Sequence, residues 1–215
     1  MNKLKVLYDV VKAVRNKEVM NGVLTADIQK DQATIFSLKN EFEKNMLTGQ
    51  TKAKINTQLD YEGKSVKHES TTECSMPFGR GRFHGRMPGM HHHGGRCGGL
   101  RGRFSGLAFA IGLLNALEIH EQENNAIMLS LEAAKLPEDL QEMVRERMKH
   151  AQAHHSPHGF MKECCSLEKP DFKVTVLINA NYDIEKILAV FRGLQQDENK
   201  VQHEVKGNAE LVLFS

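Results

Sequence analysis

Residues 23–42 read VLTADIQKDQATIFSLKNEF, and this stretch decides the fold that the chain is expected to adopt. Apolar and polar side chains alternate on both sides of Lys30, Asp31 and Gln32. A period of two places successive side chains on opposite faces of a β-strand, and a short polar segment between two such runs is typical of a hairpin turn. The stretch therefore predicts two antiparallel strands that share one apolar face.

The same alternation recurs along the rest of the chain. Further strands are predicted at 51–61, 65–73, 117–120, 126–131, 172–178, 184–191 and 201–214. Apolar residues at helical spacing, or in one continuous run, predict helices near 3–17, 106–117 and 137–155. The fold class predicted from these elements is α+β, with antiparallel β-meanders from both halves of the chain covered by about three helices.

Residues 75–106 interrupt this pattern with a segment rich in glycine, arginine and histidine. Ten of the 17 glycines of the chain lie between Gly79 and Gly106. Ordering glycine is entropically costly, so we expect a disordered loop here. The loop separates a helix plus meander at 1–74 from a helix, a hairpin, a helix and the C-terminal strands at 107–215. We expect these two parts to form one domain.

Composition indicates an ordinary globular protein rather than a disordered or membrane-spanning one. The 215 residues are 40% hydrophobic and 26% charged, close to the usual values for folded domains. The most apolar run, 107–117, is shorter than the roughly 20 residues that a spanning helix needs. Charges at Asp9, Lys12 and Arg15 interrupt the N-terminal apolar residues, which argues against a secretory leader. Because the chain has only four cysteines, we expect reduced thiols and a cytoplasmic location. Because the apolar run is short, we expect no membrane partner.

Histidine is concentrated in two windows that also contain sulfur ligands. The histidines are His84, His91, His92 and His93 in the first window and His150, His154, His155 and His158 in the second. The neighbouring sulfur residues are Met87, Met90 and Cys97 in the first and Met161, Cys164 and Cys165 in the second. Imidazole nitrogen and thiolate sulfur are the ligands that transition metals prefer. We therefore predict a transition-metal-binding protein for storage, delivery or sensing, with Zn, Ni, Co or Cu as the cofactor.

The second window gives the more structured candidate site. His150 and His154 are four residues apart on a predicted helix, so both nitrogens can reach one ion. The turn that follows can bring His158 back, with Cys164 or Cys165 as a thiolate. In the first window, His91, His92, His93 and Cys97 would form an accessory arm on the loop. Whether the two clusters converge is left open by the sequence, and solvated histidines are the competing interpretation.

The loop also supports a nucleic-acid-binding alternative. Residues 79–106 contain six arginines and no acidic residue, whereas the whole chain carries a net charge of only +2. Arginine, glycine and phenylalanine are interleaved at Arg80, Arg82, Phe83, Arg101 and Arg103. Such segments bind RNA or DNA through phosphate contacts and base stacking.

A third alternative is a non-catalytic module whose curved antiparallel sheet holds an apolar ligand or a partner strand, with the loop as a lid. Complete catalytic motifs are missing: the sequence has neither a phosphate-binding Gly-Lys-Thr/Ser pattern nor a His-Glu-x-x-His pair. We therefore expect a binding protein rather than an enzyme, although a Cys-His pair brought together by the fold is not excluded by the sequence. The sequence leaves a homo-oligomer open.

Overall fold

The computed structural model describes residues 2–61, 63–75, 109–143, 146, 167–196 and 200–214. Helix α1 spans Lys3–Asn16, α2 spans 109–116 and α3 spans 138–143. The strands are β1 Val19–Lys30, β2 Ala33–Asn45, β3 Gln50–Tyr61, β4 Lys64–Ser75, β5 Glu118–Glu121, β6 Ile127–Glu132, β7 Glu168–Ile178, β8 Ile184–Gln196 and β9 Gln202–Phe214. Short 3₁₀ turns occupy Glu123–Asn125 and Ala133–Lys135.

The nine strands of the described chain form one antiparallel sheet in the order β4-β3-β2-β1-β9-β8-β7-β6-β5. Strands β1 to β4 pair in sequence order, and so do β5 to β9. The pairing of β9 with β1 joins the two groups, so β4 and β5 form the opposite edges of the sheet. The β1–β2 turn is two residues long, and Asp31 and Gln32 adopt positive φ angles of 49° and 70°. Two-residue turns with positive φ match the twist of a hairpin, and aspartate tolerates this conformation well.

The two faces of the sheet differ in polarity. The outer face carries cross-strand ion pairs such as Lys54–Glu69 at 3.2 Å and Lys186–Glu210 at 2.9 Å. The inner face is apolar, and the described helices pack on it. These exposed pairs contribute little to stability, so the apolar inner face supplies most of the energy that holds the sheet to the helices.

Helix α1 packs on the β5–β7 end of the inner face. Asn2 caps it, because its side-chain oxygen accepts hydrogen bonds from the backbone N–H groups of Leu4 at 3.0 Å and Lys5 at 3.3 Å. Val6 and Val10, four residues apart, are buried. They form one apolar cluster with strand residues Ile127, Leu129 and Ile178.

Helices α2 and α3 form a second cluster at the same end of the sheet. Ala116, Leu136 and Leu140 are buried there, with Leu131 and Phe172 of the sheet packed against them. Gly112 allows α3 to approach α2, since a Cβ at that position would lie 2.5 Å from Cδ1 of Leu140. Within the described residues, none of the helices is long and apolar enough to cross a membrane.

The α+β prediction is wrong in its balance of helix and sheet. The structure is dominated by one nine-stranded antiparallel sheet, and the helices of the described residues pack only at its β5–β7 end. Nine strands about 4.8 Å apart are roughly 40 Å wide, whereas one helix covers about 10 Å. Since α2 and α3 share one cluster, the described helices cover the sheet only as far as β7. The predicted loop at 75–106, apart from Ser75, and most of the predicted helix at 137–155 lie outside the described residues.

Candidate ligand-binding face

The part of the inner face formed by β1, β2, β3 and β9 carries a continuous set of apolar side chains, which we call the open apolar face. Register places them on the same side as the helices: Leu129 pairs with Val176, and the same row continues through Ile187 and Leu211 to Leu24. The set comprises Leu24, Ala26, Ile28, Phe36, Leu38, Phe42, Ala53, Ile55, Leu59, Ala209, Leu211 and Leu213.

These side chains are half-buried, and none belongs to the clusters that join the described helices to the sheet. Four strands and about six residues along each strand give an area on the order of 400 Å². Exposed apolar patches of a few hundred Å² on single-chain proteins are often functional. The open apolar face is therefore the strongest candidate for a binding surface in the described part of the chain.

Three alanines form a row of small side chains that runs from this face onto β8. Ala26 of β1 pairs with Ala209 of β9, which pairs in turn with Ala189 of β8. All three retain partial exposure. At each end the row meets a larger side chain, Leu38 on β2 and Val174 on β7. The methyl groups thus make a low floor about 10 Å wide across three strands, which we call the alanine groove.

Larger apolar side chains form the two walls of the alanine groove. One wall is the row Leu24, Leu211 and Ile187, and the other contains Ile28 and Phe191. Gly207 lies between Ile28 and Phe191 in register, and a Cβ there would overlap the Phe191 ring. The ring therefore lies directly over the glycine. The walls are four residues apart along a strand, or about 13 Å.

A polar side chain interrupts the wall on β2. Asn40 pairs in register with Leu24 on one side and Ile55 on the other. Its Oδ1 is buried, and no hydrogen-bond donor among the described residues reaches it. An unsatisfied buried carbonyl oxygen costs about 1–3 kcal/mol. Asn40 is thus a buried amide within the apolar face, with hydrogen-bonding capacity that the described residues leave unused.

A second polar group marks the far end of the inner face. Gln195 is 7% exposed, and its Oε1 likewise has no hydrogen-bond partner in the described part of the chain. Its register partner on β9 is His203, whose Nδ1 lies 2.6 Å from Oδ2 of Asp31. This hydrogen bond, together with one from the backbone N–H of Glu204, lowers the pKa of Asp31 below its ordinary value. The open apolar face therefore ends in a fixed polar cluster.

The described outer face has an open hollow. It lies over β2, β3 and β4, has a volume of about 400 Å³, and is lined largely by charged and amide side chains of the outer face, including Lys39, Gln58, Lys67 and Glu69. Lys39 pairs with Glu41 at 2.7 Å, and this contact lowers the pKa of Glu41. These groups are solvated, so the hollow offers no specific ligand site.

Every site residue predicted from the sequence lies outside the described part of the chain. These are the predicted metal ligands His91, His92, His93, Cys97, His150, His154, His158, Cys164 and Cys165, and the predicted nucleic-acid contacts Arg80, Arg82, Phe83, Arg101 and Arg103. Among the described residues, no group of three or more His, Cys, Asp or Glu side chains is arranged to hold a metal ion. The metal and nucleic-acid hypotheses therefore stay predictions.

The alanine groove was not predicted from the sequence. Ala26, Ala189 and Ala209 each occur within a strand-like run, where a single alanine is unremarkable. Their significance depends on sheet order, because only the return of β9 to β1 places them side by side. The repeated alternation of apolar residues in those strands was the available signal. It indicated the apolar face, but not that the described helices pack elsewhere on the sheet.

Comparison with known proteins adds no assignment. The chain matches no known protein family, and no curated protein matches it. Among solved structures, it was aligned with an N-terminal dehydratase from the difficidin assembly line at 10% identity, covering 99% of this chain and 83% of that chain, with a TM-score of 0.16. GphF Dehydratase 1 aligned at 11% identity, covering 91% and 77%, with a TM-score of 0.13. Scores this low carry no argument about fold or function.

Proposed function

We propose that this protein is a non-catalytic binding protein that holds the acyl chain of an amphiphilic ligand in the alanine groove. The observation that carries the proposal is the open apolar face: the row Ala26, Ala209 and Ala189 runs between aliphatic and aromatic walls, with no described helix over it. Binding a hydrocarbon chain there would remove this surface from water.

The chemistry of the groove favours an acyl chain over a partner strand. A partner strand binds through unpaired backbone groups at a sheet edge. The floor strands β1, β9 and β8 are all internal, so their backbone groups are already paired within the sheet. What the groove offers instead is methyl, methylene and ring surface. These groups select for hydrophobic shape rather than for hydrogen-bonding pattern.

The size of the groove is compatible with weak, reversible binding. Burial contributes about 0.8 kcal/mol for each methylene group, so eight buried methylenes would contribute roughly 6 kcal/mol, equivalent to a dissociation constant on the order of 40 μM. Loss of translational freedom offsets part of this gain, so the expected dissociation constant lies between roughly 100 μM and the millimolar range. Asn40, at the wall, would interact with a hydroxyl or amide group near the head of the ligand. The groove residues themselves include neither a nucleophile nor a general base, in keeping with a binding role.

The proposal is tested by filling the groove and measuring ligand binding. The full-length chain is titrated with a fluorescent fatty acid, which is then displaced by palmitate. Ala26→Phe places a ring on the floor and should weaken binding by about tenfold or more. The matched control is Thr25→Phe, because Thr25 is the preceding residue on β1 and is exposed on the outer face.

Circular dichroism would verify that both variants fold. Ala209→Leu serves as a second filling variant, in case Ala26→Phe distorts the sheet. Equal affinity for palmitate in the wild type, in Ala209→Leu and in Thr25→Phe would contradict the proposal, as would an absence of fatty-acid binding by the wild type.

A further inference from the structure

Helix α1 carries a second apolar stripe that does not face the sheet. Leu4, Tyr8 and Val11 are 64%, 67% and 51% exposed. Their spacing of four and three residues places them on one side of the helix. At 100° per residue this side is opposite Val6 and Val10, which are buried against the sheet. The helix is therefore apolar both where it packs and where it is exposed.

Three cations flank this exposed stripe. Lys5, Lys12 and Arg15 are exposed, and no described carboxylate lies within ion-pair distance of any of them. The other two lysines at this helix have structural partners. Lys3 donates to the carbonyl oxygens of Leu114 and Asn115 at 3.1 and 3.2 Å, and Lys17 pairs with Asp183 at 3.2 Å.

The exposed stripe and the alanine groove lie on the same side of the sheet. The buried stripe of α1 packs on the inner face at β5–β7, so its exposed stripe points away from the sheet on the inner side. The alanine groove opens from the inner face at β1, β9 and β8. A flat surface that contacted α1 from outside would therefore lie on the side from which the groove is open.

We propose that the exposed face of α1 docks this protein onto an anionic membrane surface. Lysine and arginine are attracted to anionic lipid headgroups, tyrosine is favoured at the membrane interface, and leucine and valine can enter the acyl boundary. A second copy of the chain fits this face poorly. In a symmetric contact, Lys5, Lys12 and Arg15 of one copy would face the same three cations of the other and repel them. The proposal concerns surface contact and departs from the sequence-based expectation of no membrane partner. It rests on the proposed function, since the membrane would be the source or the destination of the amphiphile.

Co-sedimentation of the full-length protein with vesicles tests the proposal. Vesicles of pure phosphatidylcholine are compared with vesicles that also contain phosphatidylglycerol. We expect binding to the anionic vesicles, weakened by added salt. Replacing Lys5, Lys12 and Arg15 together with glutamine should reduce the partition coefficient by roughly 100-fold, since each such charge contributes about a fivefold factor. Leu4→Ser with Val11→Ser should also weaken binding without changing the net charge.

The matched control replaces three outer-face lysines, Lys52, Lys54 and Lys67, with glutamine, which changes the net charge equally. This control should retain vesicle binding to within about threefold. If vesicle binding depended instead on the arginines of 79–106, the α1 variants would bind like the wild type, and the proposal would be wrong. Binding to tRNA at the same salt, with no binding to anionic vesicles, would likewise overturn it in favour of a nucleic-acid contact.

The two proposals fail in different ways. Ala26→Phe should lose palmitate binding but keep vesicle binding, because the groove floor does not contribute to the exposed face of α1. If the wild type bound anionic vesicles but no fatty acid, membrane docking would stand and the acyl-chain proposal would be wrong. If the wild type bound fatty acid but showed no preference for anionic vesicles, the acyl-chain proposal would stand and the membrane-docking proposal would be wrong.

Discussion

Asp31 and His203 join the β1–β2 turn to the first residues of β9 through a contact of 2.6 Å between Oδ2 and Nδ1. Two further hydrogen bonds join Asp31 to Glu204. The backbone N–H of Asp31 donates to the carbonyl oxygen of Glu204 at 2.9 Å, and the side-chain Oδ1 of Asp31 accepts from the N–H of Glu204 at 3.0 Å. Asp31 thus closes the seam between the N-terminal and C-terminal strands at one end of the sheet.

This junction predicts a pH-dependent contribution to stability. The hydrogen bond from His203, followed by that from Glu204, lowers the pKa of Asp31 from 3.8. A carboxyl whose pKa is lowered by folding stabilises the fold above its unfolded pKa, and this contribution is lost as the pH falls through the folded value. Asp31→Asn should therefore have a slightly lower melting temperature than the wild type at pH 7, and the difference should shrink as the pH falls below 3.8 and the carboxyl of the folded protein becomes protonated.

Thermal melts of both proteins across this pH range provide the measurement. Asparagine is the appropriate replacement because it tolerates the positive φ of residue 31. Glu185→Gln is the control, since Glu185 is exposed and forms no ion pair with the described residues. A difference between Asp31→Asn and the wild type that stayed constant down to pH 2 would show that the carboxylate charge is not involved.

The close approach of Phe191 to Gly207 predicts a steric effect on stability. A Cβ at Gly207 would overlap the Phe191 ring, so Gly207→Ala should lower the free energy of unfolding by about 1–3 kcal/mol. Urea denaturation measures the change. In a Phe191→Leu background the same substitution should cost about 1 kcal/mol less, because the flexible leucine can move aside. Equal costs in the two backgrounds would mean that the ring is not the obstacle.

The alternation of apolar residues was sufficient to locate the strands. The turn predicted at Lys30, Asp31 and Gln32 is observed, with β1 ending at Lys30 and β2 beginning at Ala33. Alternation also identifies which side chains share a face, because the period of a strand is fixed at two. Strand ends were less accurate: the strand predicted at 172–178 begins four residues earlier, at Glu168.

What covers each face could not be predicted, because that depends on contacts between distant parts of the chain. Leu24 and Leu129 carry the same local signal, yet Leu129 is buried under α1 and Leu24 is half-buried with no described helix over it. The exposed stripe of α1 was hidden for a similar reason. In the sequence, three- and four-residue spacing predicts one packed face for α1, but the structure buries Val6 and Val10, and of the predicted set only Leu7 packs against their cluster. The predicted set is Leu4, Leu7, Tyr8, Val11 and Val14. A helix with apolar residues on two sides does not reveal from its sequence which side packs.

The unpartnered amide of Asn40 predicts a stabilising substitution. Its Oδ1 is buried without a hydrogen-bond donor between Leu24 and Ile55. Asn40→Leu removes the unsatisfied oxygen and should raise the free energy of unfolding by about 1–2 kcal/mol. Chemical denaturation checks this. Asn40→Leu should also lower the affinity for ligands with a hydroxyl or amide head group more than the affinity for plain fatty acids. The displacement assay measures both affinities.

Asn56→Leu is the matched control for Asn40→Leu. Asn56 lies on the outer face of β3, where its register partners are Lys39 and Glu69. Both substitutions replace asparagine with leucine in an internal strand, so the change in strand propensity is shared. We expect Asn56→Leu to alter stability by no more than about 0.5 kcal/mol. An equal gain in both variants would attribute the effect to propensity rather than to the buried oxygen.

The two histidine clusters predict bound metal in the untagged full-length protein, independently of the apolar groove. Elemental analysis should find a transition metal that is lost below about pH 6, where imidazole is protonated near its reference pKa of roughly 6.5. Replacing His150 and His154 together with alanine should lower the metal content, because this removes two of the nitrogen ligands of the predicted helical site. The control replaces His68 and His120, which lie on the separate strands β4 and β5, and should retain the metal. Unchanged metal content in the His150 and His154 variant would exclude the helical site, and loss on replacement of His91, His92 and His93 alone would assign the ion to the first window.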